Sequence, residues 1–244
     1  MIDEVFTWAS AVGAVTAVAA GIVRGLTGFG SAMVLVPILA VLWTPAEAVA
    51  TAFGVGILAS MQLVPRAATQ ANWREIGPMA AATVLATPFG TMVLLGLDPA
   101  IMRRIIAGLI LIVTLIFLRG WQYRGPRGPA PGFIAGVAGA LINGTAGIGG
   151  PAVVLYLISL PDPVPVQRAN IVVQISLMGL VGLGYLLLAG AFGVTELGRI
   201  SILAVPMILG TRIGSHLFHR LPATVFRRAV MWTLIAVSAA ILVL

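Results

Sequence analysis

The sequence predicts an all-α integral membrane protein made of two similar halves in an inverted repeat. Each half is a glycine-broken helix pair, re-entrant or short, plus three spanning helices, which makes about 8–10 membrane segments in total. Three observations predict this. The chain is 60% hydrophobic and 9% charged, with a mean hydropathy of +1.10, whereas about a quarter of the residues in soluble domains are charged. Two apolar stretches carry clustered glycines, RGLTGFGSAMVLVP from Arg24 to Pro37 and NGTAGIGGPAVVLY from Asn143 to Tyr156. Gly25, Gly28 and Gly30 recur as Gly144, Gly147 and Gly149 at one offset of 119 residues.

Five apolar segments make the first half, over Val5–Leu26, Ser31–Trp43, Val49–Val64, Ile76–Leu97 and Ile101–Leu118. The polar, Pro/Gly/Arg-rich stretch Arg119–Pro131 is the seam. The second half repeats the order over Gly132–Asn143, Gly149–Leu160, Val166–Ala189, Leu197–Leu217 and Val225–Leu244. The chain therefore divides into a first membrane repeat at 1–118, a linker at 119–131 and a second repeat at 132–244, forming one membrane body. The acidic start, Met1-Ile2-Asp3-Glu4, lacks the basic region of a cleavable signal, so the first apolar run is expected to stay.

The repeat extends outside the glycine motifs. Ala9, Gly13, Ala17, Gly21 and Gly25 fall four apart, as do Gly132, Gly136, Ala140 and Gly144. Small residues at that spacing let another helix approach closely. Further on, Gly90-Thr91 matches Gly210-Thr211 at an offset of 120, and Arg103-Arg104 matches Arg227-Arg228 at 124.

All fourteen basic residues are Arg, and most lie at segment ends. The net charge of +7 therefore reads as membrane orientation rather than nucleic-acid binding. With each broken pair crossing an even number of times, eleven Arg fall on one side and only Arg103, Arg104 and Arg199 on the other. The positive-inside rule then favours inverted halves with both termini outside. Twelve residues in each of Gly132–Asn143 and Gly149–Leu160 span only about 18 Å of helix, which favours a hairpin reaching the midplane in the second half.

A cluster of glycines breaks a helix, since each costs about 1 kcal/mol against alanine. Broken backbone is tolerated in hydrocarbon only where protein covers it or it lines a wet cavity. Helix starts after each break would aim free N–H groups at the break and form an anion cradle. Pro151 suits the first turn of the second such helix, and Ser31 is the expected cap of the first. The candidate anion-binding residues are Gly28, Gly30, Gly147, Gly149 and Gly150 for the backbone, and Arg24, Thr27, Ser31, Asn143 and Thr145 for side-chain contacts. Arg212, inside an apolar run, and Asn170 and Gln174, four apart on one helix face, complete the set.

Each has a plainer reading beside it. For Arg24 it is snorkelling to the surface, for Asn170 and Gln174 it is joining helices, and for Gly147 and Gly149 it is close packing. Trp8, Trp43, Trp73 and Trp121 read as an interfacial belt. Every acidic residue lies near a segment end, and a carrier of cations normally shows an acid deep in a helix. There is no cysteine, HExxH or GxSxG, so no metal, cofactor or catalytic centre is expected. GIGGPA fits a nucleotide-binding spacing, but Arg168 and Ala169 stand where an acid is required.

With these two motifs in two similar halves, the chain resembles the TauE/SafE sulfite exporter family over nearly its whole length. The resemblance implies a bacterial-type plasma-membrane transporter of sulfite, sulfonates or related small oxyanions. Its motif residues carry over to Gly28, Gly30, Gly147, Gly149, Gly150 and Pro151. A secondary transporter of a small inorganic or organosulfur anion is the expected function, with the lipid bilayer as surroundings and a homo-oligomer allowed. A passive anion channel is the alternative, and an intramembrane enzyme is the weakest reading.

Overall fold

The computed structural model describes residues 8–121 and 123–217. The expected last segment, Val225–Leu244, lies outside the described residues, with His219, Arg220, Arg227 and Arg228. Among the described residues the chain forms ten α-helices and no strand. They are α1 (Trp8–Thr27), α2 (Ser31–Leu42), α3 (Pro45–Ser60), α4 (Val64–Gln70), α5 (Trp73–Gly96), α6 (Pro99–Leu118), α7 (Pro129–Ala146), α8 (Gly150–Leu157), α9 (Val164–Leu188) and α10 (Val194–Leu217). Helices α1, α5, α6, α9 and α10 are long and apolar enough to cross a membrane, and the bent pair α3–α4 raises the number from five to six. Apolar side chains such as Leu85, Phe89 and Met92 on α5 face outward, as lipid contact requires.

Two element boundaries differ from expectation for identifiable reasons. Helix α3 starts at Pro45 rather than Val49 because Thr44 and Glu47 form a reciprocal cap: the Glu47 carboxylate accepts from Thr44 N–H at 2.8 Å, and the Thr44 hydroxyl accepts from Glu47 N–H at 3.3 Å. It ends at Ser60, where the chain bends by 71° into α4. Helix α7 takes Pro129 and Pro131 from the linker into its first turn, where proline is tolerated. Its 18 residues extend for about 27 Å, while α8 has only 8. The second broken pair is therefore a long arm and a short one, not two equal arms.

Each broken pair folds back on itself. A Cβ on Gly13 would stand 3.5 Å from Leu39 across the α1–α2 hairpin, and one on Gly132 would stand 3.5 Å from the Tyr156 ring across α7–α8. The long arms then pack crosswise, α1 on α10 and α7 on α5. These two contacts match residue by residue. A Cβ on Gly144 would meet Thr87 O at 2.5 Å and Thr91 N at 2.8 Å, and one on Gly25 would meet Thr211 O at 2.3 Å and Ser215 N at 2.6 Å. No side chain fits at either position, so the backbones touch. The register pairs Gly90 with Gly214, 124 residues apart, rather than with Gly210 at 120. That is one helical turn from the sequence match, and it equals the Arg103/Arg227 offset.

Buried hydroxyls along α5 are satisfied within their own helix. Thr83, Thr87 and Thr91 donate to the carbonyls of Met79, Thr83 and Thr87 at 2.9, 2.6 and 3.1 Å, which removes the cost of an unpaired donor in an apolar interior.

Candidate functional site

Both hairpin tips are built from glycine. Helix α1 closes with Gly28 N–H donating to Arg24 O at 2.7 Å, and α7 with Gly147 N–H donating to Asn143 O at 2.8 Å. Gly28 (φ 83°) and Gly147 (φ 71°) are left-handed there, the conformation a helix end assigns to glycine. The copies then diverge. Gly30 is left-handed again (φ 85°) and caps α2, whereas Gly149 has φ −63°. Gly149 is required for another reason: a Cβ there would stand 2.0 Å from Gly139 O. Ser31 is the first residue of α2 and gives it no side-chain cap; the expected cap position falls one residue earlier. Pro151 does occupy the first turn of α8.

The tips face one cavity of about 50 Å³, several times the 10–15 Å³ that a water needs. Arg24, Gly30 and Ser31 line it from the first tip, and Asn143, Gly147 and Gly150 from the second. Ile148, 2% exposed, closes it from the second break. Phe29 turns the other way, 5.8 Å from the Phe117 ring. Helix α3 contributes Phe53, Gly56 and Ser60, and α9 contributes Ile175, Ser176 and Met178.

Arg24 is 4% exposed, so it does not snorkel. Its guanidinium donates to Ser31 Oγ at 3.3 Å and to Ser60 Oγ, while Nε has no hydrogen-bond partner. No carboxylate pairs with it among the described residues. Gly56 lies alongside it, where a Cβ would make an ordinary contact 3.6 Å from Nη1. A buried guanidinium without a counter-charge is costly, and an anion in the cavity would relieve that cost. Asn143 Nδ2 donates to Met178 O at 3.0 Å, which holds the second tip against α9.

The other expected site residues lie outside the cavity lining. The Thr27 hydroxyl accepts from Phe29 N–H at 3.2 Å and lies 2.6 Å from Phe29 O, bracing the first turn. Gly28 faces Arg168 and Val172. Thr145 donates to Gly90 O at 3.3 Å in the α5–α7 contact. Asn170 Oδ1 accepts from Asn72 N–H at 2.7 Å, and its Nδ2 donates to Asp162 at 3.2 Å. Gln174 donates to Thr83 Oγ1 at 2.9 Å. Both amides join helices rather than line the cavity. Arg212 is exposed and donates to Gln62 Oε1 at 3.2 Å.

Ser60 and Gly56 were not singled out from the sequence. Their signal is the run Ala52, Gly56, Ser60 at four-residue spacing on α3, the same pattern that marked α1. Arg168 has no site role in the sequence reading. It reaches from α9 to donate to Gly25 O at 3.4 Å, and Ser215 approaches the same oxygen at 3.5 Å, so second-half helices hold the carbonyl end of the first tip. Trp43 is likewise not a belt residue. It is 9% exposed and lies under the Arg199 guanidinium, 4.2 Å from the ring centroid, while Arg199 also pairs with Glu47 at 3.1 Å.

The sequence model of a family described as Sulfite exporter TauE/SafE matches residues 13–241. No curated protein and no solved structure matches the chain.

Proposed function

Since the chain belongs to the TauE/SafE sulfite exporter family, a family of transporters and not of enzymes, we propose that it is a secondary carrier of sulfite, a sulfonate or a related sulfur oxyanion. The anion sits between the two hairpin tips. Arg24 supplies the charge, Ser31 and the α2 and α8 starts supply neutral donors, and Asn143 keeps the second tip in place. The observation that carries this reading is a buried guanidinium with no carboxylate partner among the described residues, in a cavity lined by both tips.

In this reading the halves 1–118 and 132–244 form an inverted repeat in a bacterial-type plasma membrane, with the linker 119–131 on the cytoplasmic side. The matching Gly25–Gly214 and Gly144–Gly90 contacts support the repeat, and the bias of Arg residues supports the orientation. Equivalent hairpins on opposite sides of one site are the arrangement that alternating access uses.

Counterflow in proteoliposomes tests the function. Unlabelled sulfite or sulfonate on the far side should accelerate uptake of labelled anion. Flux without such stimulation would point to a channel, and no flux of any sulfur oxyanion would remove the reading.

A further inference from the structure

We infer that the cavity between the tips selects a compact oxyanion bearing one negative charge and discriminates against doubly charged forms. This rests on the carrier reading and specifies the substrate class of the same site.

The argument is a charge balance. Arg24 is the sole ionisable side chain among the described residues that line the cavity. Two of the three lining hydroxyls are committed, since Ser60 donates to Gly56 O and Ser176 to Val172 O, each at 2.7 Å, and Ser31 brings a neutral donor but no charge. The Asn143 amide likewise donates to Met178 O. Helix ends do not supply the missing charge. Each tip joins the carbonyl end of one helix to the amide start of the next, and their partial charges have opposite signs and similar size. Arg168 is directed at the carbonyl end of α1, through Gly25 O, and does not line the cavity.

One guanidinium therefore balances one unit of negative charge. A second unit would lie against apolar walls such as Ile57, Ile148 and Ile175 without a counter-charge, where burial is most costly.

Calorimetric titration of the purified full-length protein, at pH 7 and constant ionic strength, tests this with two pairs of probes. Nitrate and methanesulfonate carry one charge; sulfate and thiosulfate carry two. The monoanions should bind at least ten-fold more tightly. Arg24→Gln should weaken them ten-fold or more, and Arg24→Lys, which keeps the charge, should retain the preference. Dianions binding as tightly as monoanions would overturn the charge selection while leaving an anion site. Binding of no anion at all would overturn the carrier reading with it.

Discussion

Arg24 donates to the hydroxyl of Ser60, the last residue of α3, where the chain bends by 71° into α4. The buried charge is thus tied to the one helix bend that the second half does not repeat, since α9 runs unbroken for 25 residues. Ser60→Ala removes a hydrogen bond to a charged group, an interaction of about 1.5–3 kcal/mol. Because that bond fixes where the guanidinium points, the expected result is a weakened anion affinity, with membrane insertion retained. Titration of the variant checks it, and unchanged affinity would detach Ser60 from the site.

The two kinds of glycine in the motifs should respond differently to alanine. At Gly149 a Cβ meets the Gly139 carbonyl oxygen at 2.0 Å, and backbone must move. A Cβ on Gly28 would make only ordinary contacts, 3.9 Å from Arg168 and Val172, but Gly28 has a left-handed φ of 83°, which costs about 1–2 kcal/mol for an L-residue. Gly149→Ala should therefore lower the melting temperature in detergent well beyond Gly28→Ala. Equal melting temperatures would contradict the packing at the second tip.

Gly90 and Gly214 occupy matching positions in the crosswise contacts, and a Cβ on either would lie within 2.4 Å of a backbone carbonyl oxygen. Gly90→Ala and Gly214→Ala should each destabilise by about 1–3 kcal/mol, the usual range for overpacking, and by similar amounts. Thermal denaturation of both variants tests this. A large loss at one site alone would break the equivalence of the two contacts.

Arg199 pairs with Glu47 at 3.1 Å, with side-chain exposures of 10% and 31%. Removing one partner of a fully buried pair costs about 3–5 kcal/mol; because Glu47 is partly in solvent, Arg199→Gln should cost roughly 1–3 kcal/mol. Adding Glu47→Gln should recover part of the loss. A double-mutant cycle with no coupling would assign Arg199 to its Trp43 contact and to Glu196, 3.8 Å away.

Arg212 is exposed and bonded to Gln62. Arg212→Gln should leave transport within about two-fold of the parent, as surface changes usually lie within ±0.5 kcal/mol. A ten-fold loss would place Arg212 on the transport path.

The breaks were legible because clustered glycines weaken a helix locally and supply, at Gly28 and Gly147, the left-handed residue that closes one. That no acid lines the cavity was equally legible from where Asp and Glu stand along the chain. Arg24 was not, because the same residue snorkels or is buried depending on whether another helix covers it. Helix α3, which covers Arg24 and accepts its hydrogen bond at Ser60, decides that. Asn170 and Gln174 share a helix face by spacing, but their partners Asn72 and Thr83 come from distant sequence.

Local chemistry in the sequence thus determined that this chain is a membrane protein with two matched glycine hairpins, because hydrophobicity and backbone freedom belong to residues one at a time. Which glycine of α10 meets Gly25, and whether the charge beside the first hairpin looks outward or inward, was decided by tertiary structure alone. Gly210 and Gly214 stand one turn apart on the same helix, and only the backbone packed against them chooses between them.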